Sequence, residues 1–207
     1  MQNGALSKPL NNTTYDRAKI TDWSRYRQVA IEMQDVIARR ALAAPWEPVW
    51  LNQKACLMPQ WTQGEITPDR LRIYNASHNT EITGVGLRTG KLSVVDIDCI
   101  DDSLTELIAQ TMLETLGTNP LCRRGSKGLA ALYWNETPIG KLRLAFSKDG
   151  VSHAVEQLGV GQQIGGFGKV KSDTKKGTPA FGYTWLDGES PLDVAPCPGS
   201  GLMGQIG

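Results

Sequence analysis

Two aspartates one residue apart, Asp96 and Asp98, end the apolar run LSVVDIDCIDD at residues 92–102. Successive side chains of a strand point to opposite faces, so both carboxylates are predicted to lie on one face, with Val95 and Ile97 on the other. Paired carboxylates on one face are typical ligands of a divalent cation. An ordinary strand that ends before a helix shows the same pattern, so the pair alone leaves a structural and a metal-binding interpretation open.

Glu156 is the best candidate for the third acid of such a site. Two cations that act together on a phosphoryl group need bridging carboxylates. Glu156 lies in SHAVEQLG, inside a predicted strand flanked by Val155 and Leu158, where an unpaired charge is costly. A glutamate that faces water from an edge strand explains the same pattern, and both interpretations stay open.

Basic segments supply cations that could hold a triphosphate or a nucleic-acid backbone. RRGSKG is a glycine-containing loop directly after a predicted strand, where side chains and backbone N–H groups could both face phosphate. KVKSDTKKG could follow a phosphodiester backbone. Solvated turns explain both segments as well. The residues are Arg123, Arg124, Ser126 and Lys127 in the first segment and Lys169, Lys171, Lys175 and Lys176 in the second.

Composition excludes several other classes of protein. The 207 residues carry a net charge of +1, so contact with nucleic acid must come from local patches. The four cysteines form no C-x-x-C pair, which argues against a zinc site and a disulfide framework. The two histidines, His78 and His153, leave little material for a zinc-hydrolase or Ser-His-Asp mechanism. We expect a cytoplasmic protein without a membrane partner, because no segment approaches the roughly 18 apolar residues of a membrane span.

The elements around the acids predict an α+β fold with a mixed sheet. GVGLRTG is predicted to form one strand and a tight turn, in a hairpin with the strand of Asp96. Ser103 and Glu106 have the spacing of a capping box and open a helix. One crossover helix followed by a run of strands is typical of an α+β protein. The later strands are predicted at residues 121–124, 129–134, 141–146, 153–158, 162–167 and 181–185.

Four parts are predicted along the chain. Residues 1–20 are polar and form a flexible arm, and residues 21–44 have helical periodicity with Thr21 as the N-cap. Residues 45–196 form the main domain. Residues 197–207 have the composition of a linker.

Several segments together resemble the bifunctional DNA primase/polymerase domain of the archaeo-eukaryotic primase superfamily, in the form that phages, prophages and plasmids carry. TGVGLRTGKLSVVDID is similar to the strand-turn-strand that leads into the first metal motif of that family, and VEQLGVGQQIGGFG is similar to the segment with its third acid. YTWLDGESPLDV is similar to the aromatic segment that follows in phage-type members.

The resemblance implies a fold, a cofactor and residue roles. The fold is an RRM-like catalytic half packed on a smaller α/β half, and residues 45–196 become the catalytic domain. The cofactor is Mg²⁺ or Mn²⁺. Asp96, Asp98 and Glu156 would be the catalytic residues that bind the metals. Arg123, Arg124, Ser126 and Lys127 would position the nucleotide, and Arg88, in the turn beside the metal strand, would also bind it.

The sequence departs from the family pattern in two places. RRGSKGLAALYW lacks the histidine that many members carry in this motif, and a second histidine is replaced around Val170 or Lys171. Both losses concern nucleotide handling more than metal binding.

The resulting hypothesis is a metal-dependent nucleotidyltransferase that makes or extends strands on a DNA template, in the replication of a phage or mobile element. Its partners would be DNA template and primer, nucleoside triphosphates, and a helicase domain or protein, in the cytoplasm of a bacterial or phage-infected cell. Two alternatives stay open. One is a catalytically weakened nucleic-acid-binding relative with an accessory role in replication, and the other is a two-metal nuclease, which would use the same acids with water as the nucleophile.

Overall fold

A computed structural model of the chain describes residues 18–33, 36, 39, 46–116, 120–175 and 177–193. The helices are α1 (Ala18–Thr21), α2 (Pro68–His78) and α3 (Asp102–Leu116), and a 3₁₀ turn spans Trp23–Arg25. The strands are β1 (Tyr26–Arg27), β2 (Pro48–Asn52), β3 (Ala55–Cys56), β4 (Gly84–Arg88), β5 (Leu92–Asp98), β6 (Leu121–Arg124), β7 (Leu129–Trp134), β8 (Leu142–Lys148), β9 (Val151–Leu158), β10 (Gln163–Val170), β11 (Phe181–Gly182) and β12 (Thr184–Leu186).

The strands form two sheets. The larger sheet has seven strands in the order β1-β12-β6-β7-β5-β9-β8, and the smaller has five in the order β11-β10-β4-β2-β3. The predicted α+β class is confirmed, but the prediction of a mixed sheet is wrong, because every strand pair among the described residues is antiparallel. The crossover through α3 joins β5 to β6 as predicted. However, β7 returns between these two strands, so each of them pairs with an antiparallel neighbour.

Three layers result from this arrangement. Val94 and Leu132 of the larger sheet share a core with Val85 and Phe167 of the smaller sheet. On the opposite face of the larger sheet, the core contains Ile97 of β5 and the α3 side chains. The larger sheet therefore lies between the smaller sheet and α3, while α2 packs on β2, where the Trp50 indole N–H donates to the Leu71 carbonyl at 2.9 Å.

The predicted hairpin between β4 and β5 is wrong. β4 pairs with β2 and β10 in the smaller sheet, whereas β5 pairs with β7 and β9 in the larger one. The first four residues of each strand are buried, so each strand needs neighbours over both faces. A single two-stranded hairpin cannot provide that cover, and the short connection at residues 89–91 carries the chain from one sheet to the other.

The predicted helix at residues 21–44 is wrong over its described first part. Tyr26 and Arg27 form β1, which pairs with Leu186 and Trp185 of β12. The apolar residues of this segment serve two different cores, because Tyr26 packs with the α3 side chains whereas Val29 packs between the sheets. Met33, Val36 and Arg39 are helical. The other residues from 34 to 45 lie outside the described residues, as do the predicted tail at 197–207 and all of the predicted arm except residues 18–20, which belong to α1.

Asp101, not Ser103, is the cap of α3. Its carboxylate accepts a hydrogen bond from the backbone N–H of Leu104 at 3.0 Å, and its carbonyl accepts one from Thr105. An aspartate at this position satisfies a free N–H group and interacts favourably with the helix dipole. Within the described ranges, no helix is both long and apolar enough to cross a membrane.

Candidate active site

Strand register brings the three predicted acids to one face of the larger sheet. Asp96 of β5 lies directly opposite Glu156 of β9, and Asp98 lies opposite Ala154. Directly opposed residues of antiparallel strands point to the same face. Asp96, Asp98 and Glu156 therefore share the face that is directed toward the smaller sheet, as the side-chain alternation of β5 predicts for the two aspartates.

The same register extends into a row of charged residues across five strands. On one side of Asp96, Ala130 of β7 is followed by Arg123 of β6. On the other side, Glu156 is followed by Arg143 of β8. Two carboxylates thus lie side by side with an arginine at each end of the row.

Each of the three carboxylates has its own cation. Asp96 lies 3.9 Å from the Arg123 guanidinium and Asp98 lies 3.0 Å from Lys127 Nζ. Glu156 pairs with both Lys141 and Arg143, each at 3.2 Å. The acids are therefore charge-compensated by the protein itself.

A cleft of about 240 Å³ opens where the core between the two sheets ends. Asp96 and Asp98 form its floor on the larger sheet, and Gln163 and Ile164 approach from the smaller sheet. Aromatic rings of Phe181 and Tyr183, 5.5 Å apart and nearly perpendicular, form one wall. The other lining residues are Lys54, Arg123, Gly125, Ser126, Lys127, Leu158 and Gly165.

Burial controls the electrostatics of the cleft. It raises the pKa of the Asp96 carboxyl; Arg123 opposes this shift, whereas the neighbouring carboxylates Asp98 and Glu156 add to it. Burial also lowers the pKa of Arg123, against the attraction of Asp96. Arg123 is only 6% exposed, its guanidinium lies 4.7 Å from the centre of the Tyr183 ring, and its Nε has no hydrogen-bond partner among the described residues. A buried donor of this kind is suited to an anionic ligand.

The chemistry of the three acids fits a hard divalent cation, since carboxylate oxygens are the donors that Mg²⁺ and Mn²⁺ prefer. A cation would also stabilise the ionised form of Asp96, which burial disfavours. Among the described residues, no three His, Cys, Asp or Glu side chains are already gathered around one point. Asp98 forms an ion pair with Lys127, and Glu156 forms ion pairs with Lys141 and Arg143. The side chains of these three cations are 39%, 44% and 56% exposed, so they have space to rotate away from the carboxylates.

The RRGSKG segment divides between the two faces of the sheet. Arg123, Ser126 and Lys127, three of the predicted nucleotide-positioning residues, line the cleft. Arg124, the next residue along β6, points to the opposite face. There it lies 3.9 Å from the centre of the Trp23 ring and pairs with Asp102 at 2.6 Å. The structure therefore does not bring Arg124 to the cleft.

Arg88 is not in the cleft either. Its guanidinium forms two hydrogen bonds with the Glu47 carboxylate, at 2.8 and 2.5 Å. It also donates to the carbonyls of Trp61 and Gly64 at 3.0 and 2.6 Å. These contacts connect the loop before α2 to the end of β4, so the role of Arg88 is structural.

Replacing Arg88 with alanine should therefore destabilise the fold rather than weaken nucleotide binding. The variant leaves two carbonyls and a carboxylate without a donor, and we expect a loss of about 2 kcal/mol in the free energy of unfolding, measured by urea denaturation. Arg72→Ala is the matched control, because Arg72 is 68% exposed and pairs with Asp69, three residues earlier in the same helix. An unchanged stability with a raised nucleotide KM in the Arg88 variant would contradict this assignment.

The second basic segment lies at the surface, outside the lining of the cleft. Lys169, Lys171 and Lys175 are exposed. The backbone N–H of Lys171 donates to the Gln53 side chain at 2.6 Å, which anchors the segment to the turn after β2. Lys176 lies outside the described residues.

His153 lies on the other face of β9 from Glu156, because the two residues are three positions apart in a strand. It is buried, 5.5 Å from the Phe146 ring. His153 is therefore a buried structural residue and does not line the candidate site.

Several residues of the cleft and of the charged row are not among those predicted from the sequence. Lys54, Gln163, Phe181 and Tyr183 reach the cleft from elements distant in sequence, and no local pattern marks them. Lys141 and Arg143 did carry a signal. They are two residues apart at a predicted strand next to the one with Glu156, which is the spacing of two cations on one face.

Comparison with known protein families identifies the family of this chain. The model of the family described as "Bifunctional DNA primase/polymerase, N-terminal" matches residues 5–200, a span that includes every acid and cation of the row. Comparison with curated proteins gave no match. The match confirms the resemblance inferred from the motifs and extends it toward the N-terminus. The chain belongs to the bifunctional DNA primase/polymerase family.

Proposed function

We propose that this chain is a metal-dependent nucleotidyltransferase that makes or extends a strand on a DNA template, with its reaction centre at Asp96, Asp98 and Glu156. Membership of the family supports a primase/polymerase activity of the nucleotidyltransferase type. The observation that carries the finer proposal is the buried Arg123, which lines the same cleft as two of the carboxylates and whose Nε has no hydrogen-bond partner among the described residues.

The three acids are the proposed metal ligands. When held there, Mg²⁺ or Mn²⁺ would neutralise charge on the phosphoryl oxygens and make the attacking hydroxyl more acidic. Glu156 has to leave Lys141 and Arg143, and Asp98 has to leave Lys127, before either can serve as a ligand. Lys127 is then free for another anion.

Arg123, Lys127 and Lys54 are the proposed partners of the triphosphate. Their three positive charges exceed the two negative charges of Asp96 and Asp98 in the cleft, so the cleft retains an excess of positive charge. Arg123 offers a planar set of N–H donors that is fixed by packing on Tyr183, and such a set suits phosphate. Ser126, between the two cations of the loop, adds a hydroxyl donor.

The aromatic wall is proposed to receive the base or sugar of the nucleotide. Stacking on Phe181 or Tyr183 tolerates every base, because each base has a π-face. The side-chain oxygen of Gln163 is buried, without a hydrogen-bond partner among the described residues, and can accept a hydrogen bond from the nucleotide. These groups hold the nucleotide while its phosphates face the acids.

The chemical step is a displacement at the α-phosphorus. The oxygen of the 3′-hydroxyl forms the new P–O bond, its proton passes to solvent, and the bond from phosphorus to the bridging oxygen breaks as pyrophosphate leaves. Arg123, which is fixed by packing on Tyr183, and Lys127, once it is released from Asp98, stabilise the charge that develops on the pyrophosphate in the partly desolvated cleft. Catalysis by these residues is therefore mainly positioning and electrostatics.

The proposed partners of the chain are the DNA template and a helicase. The exposed Lys169, Lys171 and Lys175, with Lys176 after them, are proposed to contact the backbone of the DNA template. The phage-type motifs support a role in replication of a phage or mobile element, in the cytoplasm and together with a helicase.

A primer-extension assay tests the proposal. We expect a labelled primer on a DNA template to lengthen when the protein is supplied with Mn²⁺ or Mg²⁺ and nucleoside triphosphates, and to stay unchanged with a chelator. Deoxynucleotides and ribonucleotides are compared, and an unprimed template tests synthesis from its first nucleotide. Shortening of the primer without triphosphates would favour the nuclease instead, and tight DNA binding without any change of length would favour the non-catalytic relative.

A further inference from the structure

The three acids Asp96, Asp98 and Glu156 have cations on two sides, one inside a cleft and the other at an open sheet edge. Arg123 and Lys127 lie in the cleft between the sheets. Arg143 lies on β8, the outer strand of the larger sheet, and Lys141 directly precedes this strand. We refer to Lys141 and Arg143 as the basic edge. All residues of β8 except Phe146 are exposed, so no described part of the chain covers this side of the acids.

The inference rests on the function proposed above. The geometry of that reaction determines which of the two groups of cations faces the triphosphate and which faces the strand being extended. An in-line displacement has the attacking and leaving oxygens on opposite sides of the phosphorus. With the pyrophosphate directed toward Arg123 and Lys127, the 3′-hydroxyl has to arrive from the side of Glu156. Among the described strands, β8 alone continues the larger sheet beyond Glu156.

We propose that the basic edge binds the phosphodiester backbone of the strand being extended, close to its 3′ end. Arg143 is separated from Asp96 by two strand spacings, which is about 10 Å across the sheet. With about 3.4 Å of helix axis per nucleotide in one strand, this distance corresponds to the last three nucleotides or so. The cleft and the basic edge thus hold two different phosphate-bearing substrates on either side of the acids.

The surface beside the basic edge is shaped for a close approach. Ala145 and Ser147 follow Arg143 at two-residue steps on the same face of β8, and Ser152 lies opposite Ser147. All three small side chains are exposed. A nucleic-acid backbone can therefore approach the sheet without displacing bulky side chains.

Glu156 competes with DNA for these cations. It is 19% exposed and lies 3.2 Å from both Lys141 and Arg143, so a phosphate has to replace it. Replacing Glu156 with glutamine removes the competitor and keeps the shape of the side chain. This variant should bind DNA more tightly than the wild type, by a few-fold, even though it removes a proposed metal ligand.

The test is DNA binding without divalent cations, so that the measurement requires neither metal nor catalysis. Fluorescence anisotropy of a labelled primer–template is followed over a series of salt concentrations. Lys141→Ala plus Arg143→Ala should weaken binding at least about tenfold and lower the slope of log K against log salt by about 1.4 to 1.8, because each lost phosphate contact removes about 0.7 to 0.9. Arg143→Lys, which keeps the charge, should retain most of the slope.

Lys148→Ala is the matched control. Lys148 is on the same strand and carries the same charge, but it points to the opposite face, where it pairs with Asp101 at 2.6 Å. Its removal should leave the salt slope unchanged. If Arg143→Ala and Lys148→Ala have equal effects, or if the double variant keeps the wild-type slope, the basic edge does not bind DNA and only neutralises Glu156.

Primer extension by the same proteins separates this inference from the proposed function. In an active enzyme, the double variant should raise the KM for primer and leave the KM for nucleotide unchanged. A raised nucleotide KM with an unchanged primer KM overturns the assignment of the two sides. If the wild type incorporates no nucleotide but the salt slope still falls in the double variant, the proposed catalysis fails and DNA binding by the basic edge is supported.

Discussion

Replacing Asp96 and Asp98 together with asparagine will reduce nucleotide incorporation at least about 10³-fold while the protein stays folded. Asparagine keeps the size of each side chain but removes both negative charges of the cleft floor, and with them the proposed metal ligands. The measurement is primer extension with Mn²⁺ under saturating nucleotide. Asp102→Asn is the matched control, because Asp102 lies close in sequence but pairs with Arg124 on the other face of the sheet.

Thermal unfolding distinguishes loss of chemistry from loss of fold. Because burial raises the pKa of Asp96 in spite of Arg123, ionisation of this carboxyl costs stability in the folded protein. The single variant Asp96→Asn should therefore have a Tm equal to or above that of the wild type at neutral pH. The difference should shrink as the pH falls below the raised pKa of Asp96 and vanish below the ordinary pKa of an aspartate, where the wild-type carboxyl is neutral in both the folded and the unfolded state. Full incorporation by the double variant would exclude the proposed site.

Replacing Gly128 with alanine will destabilise the protein by about 2–4 kcal/mol, because two costs add at this position. Gly128 has a φ of +61°, which is strained for alanine, and a Cβ there would lie 1.7 Å from the Ile97 carbonyl oxygen. The loop with Ser126 and Lys127 has to move away from the end of β5. We expect a fall in Tm of about 5–15 °C.

The displacement of this loop should also impair the nucleotide site. At a temperature well below the Tm of the variant, the KM for nucleotide should rise about tenfold, since Lys127 and Ser126 no longer face the cleft. Gly150→Ala is the control for backbone strain alone. Gly150 has a φ of +76°, but its Cβ would meet no atom within 4 Å, so this variant should lose only about 1 kcal/mol. Equal losses in the two variants would mean that contact with Ile97 has no part in holding the loop.

The strands around the acids illustrate what local pattern can predict. The strands at 121–124 and 129–134 are found with the predicted bounds, and β8, β9 and β10 differ from prediction by a few residues at their ends. Their apolar runs are separated by turns of glycine and polar residues, and Asp149–Gly150 is the clearest, with φ values of 52° and 76° that suit a two-residue hairpin. Such signals act within a few residues, so they need no knowledge of the rest of the chain.

Predictions that required long-range pairing were less successful. GVGLR was assigned to a hairpin with the acid strand because the two are adjacent in sequence, yet they belong to different sheets. The apolar residues of 21–44 recur at three- and four-residue steps, a pattern that predicts a helix. In the fold these side chains serve two separate cores, and periodicity does not reveal which core a residue joins.

The candidate site combines both kinds of information. The sequence alone determined that Asp96 and Asp98 share a face, because side-chain alternation in a strand is a property of the local backbone. Its place inside an apolar predicted strand makes Glu156 a candidate, and the family resemblance implies its role, but only the register of β9 against β5 puts it beside Asp96. The choice of Arg123 over Arg124 also depends on register, since adjacent residues of β6 face opposite sides. Lys54, Gln163 and Tyr183 join the acids only through tertiary structure, because strand pairing and sheet packing unite residues that no local pattern connects.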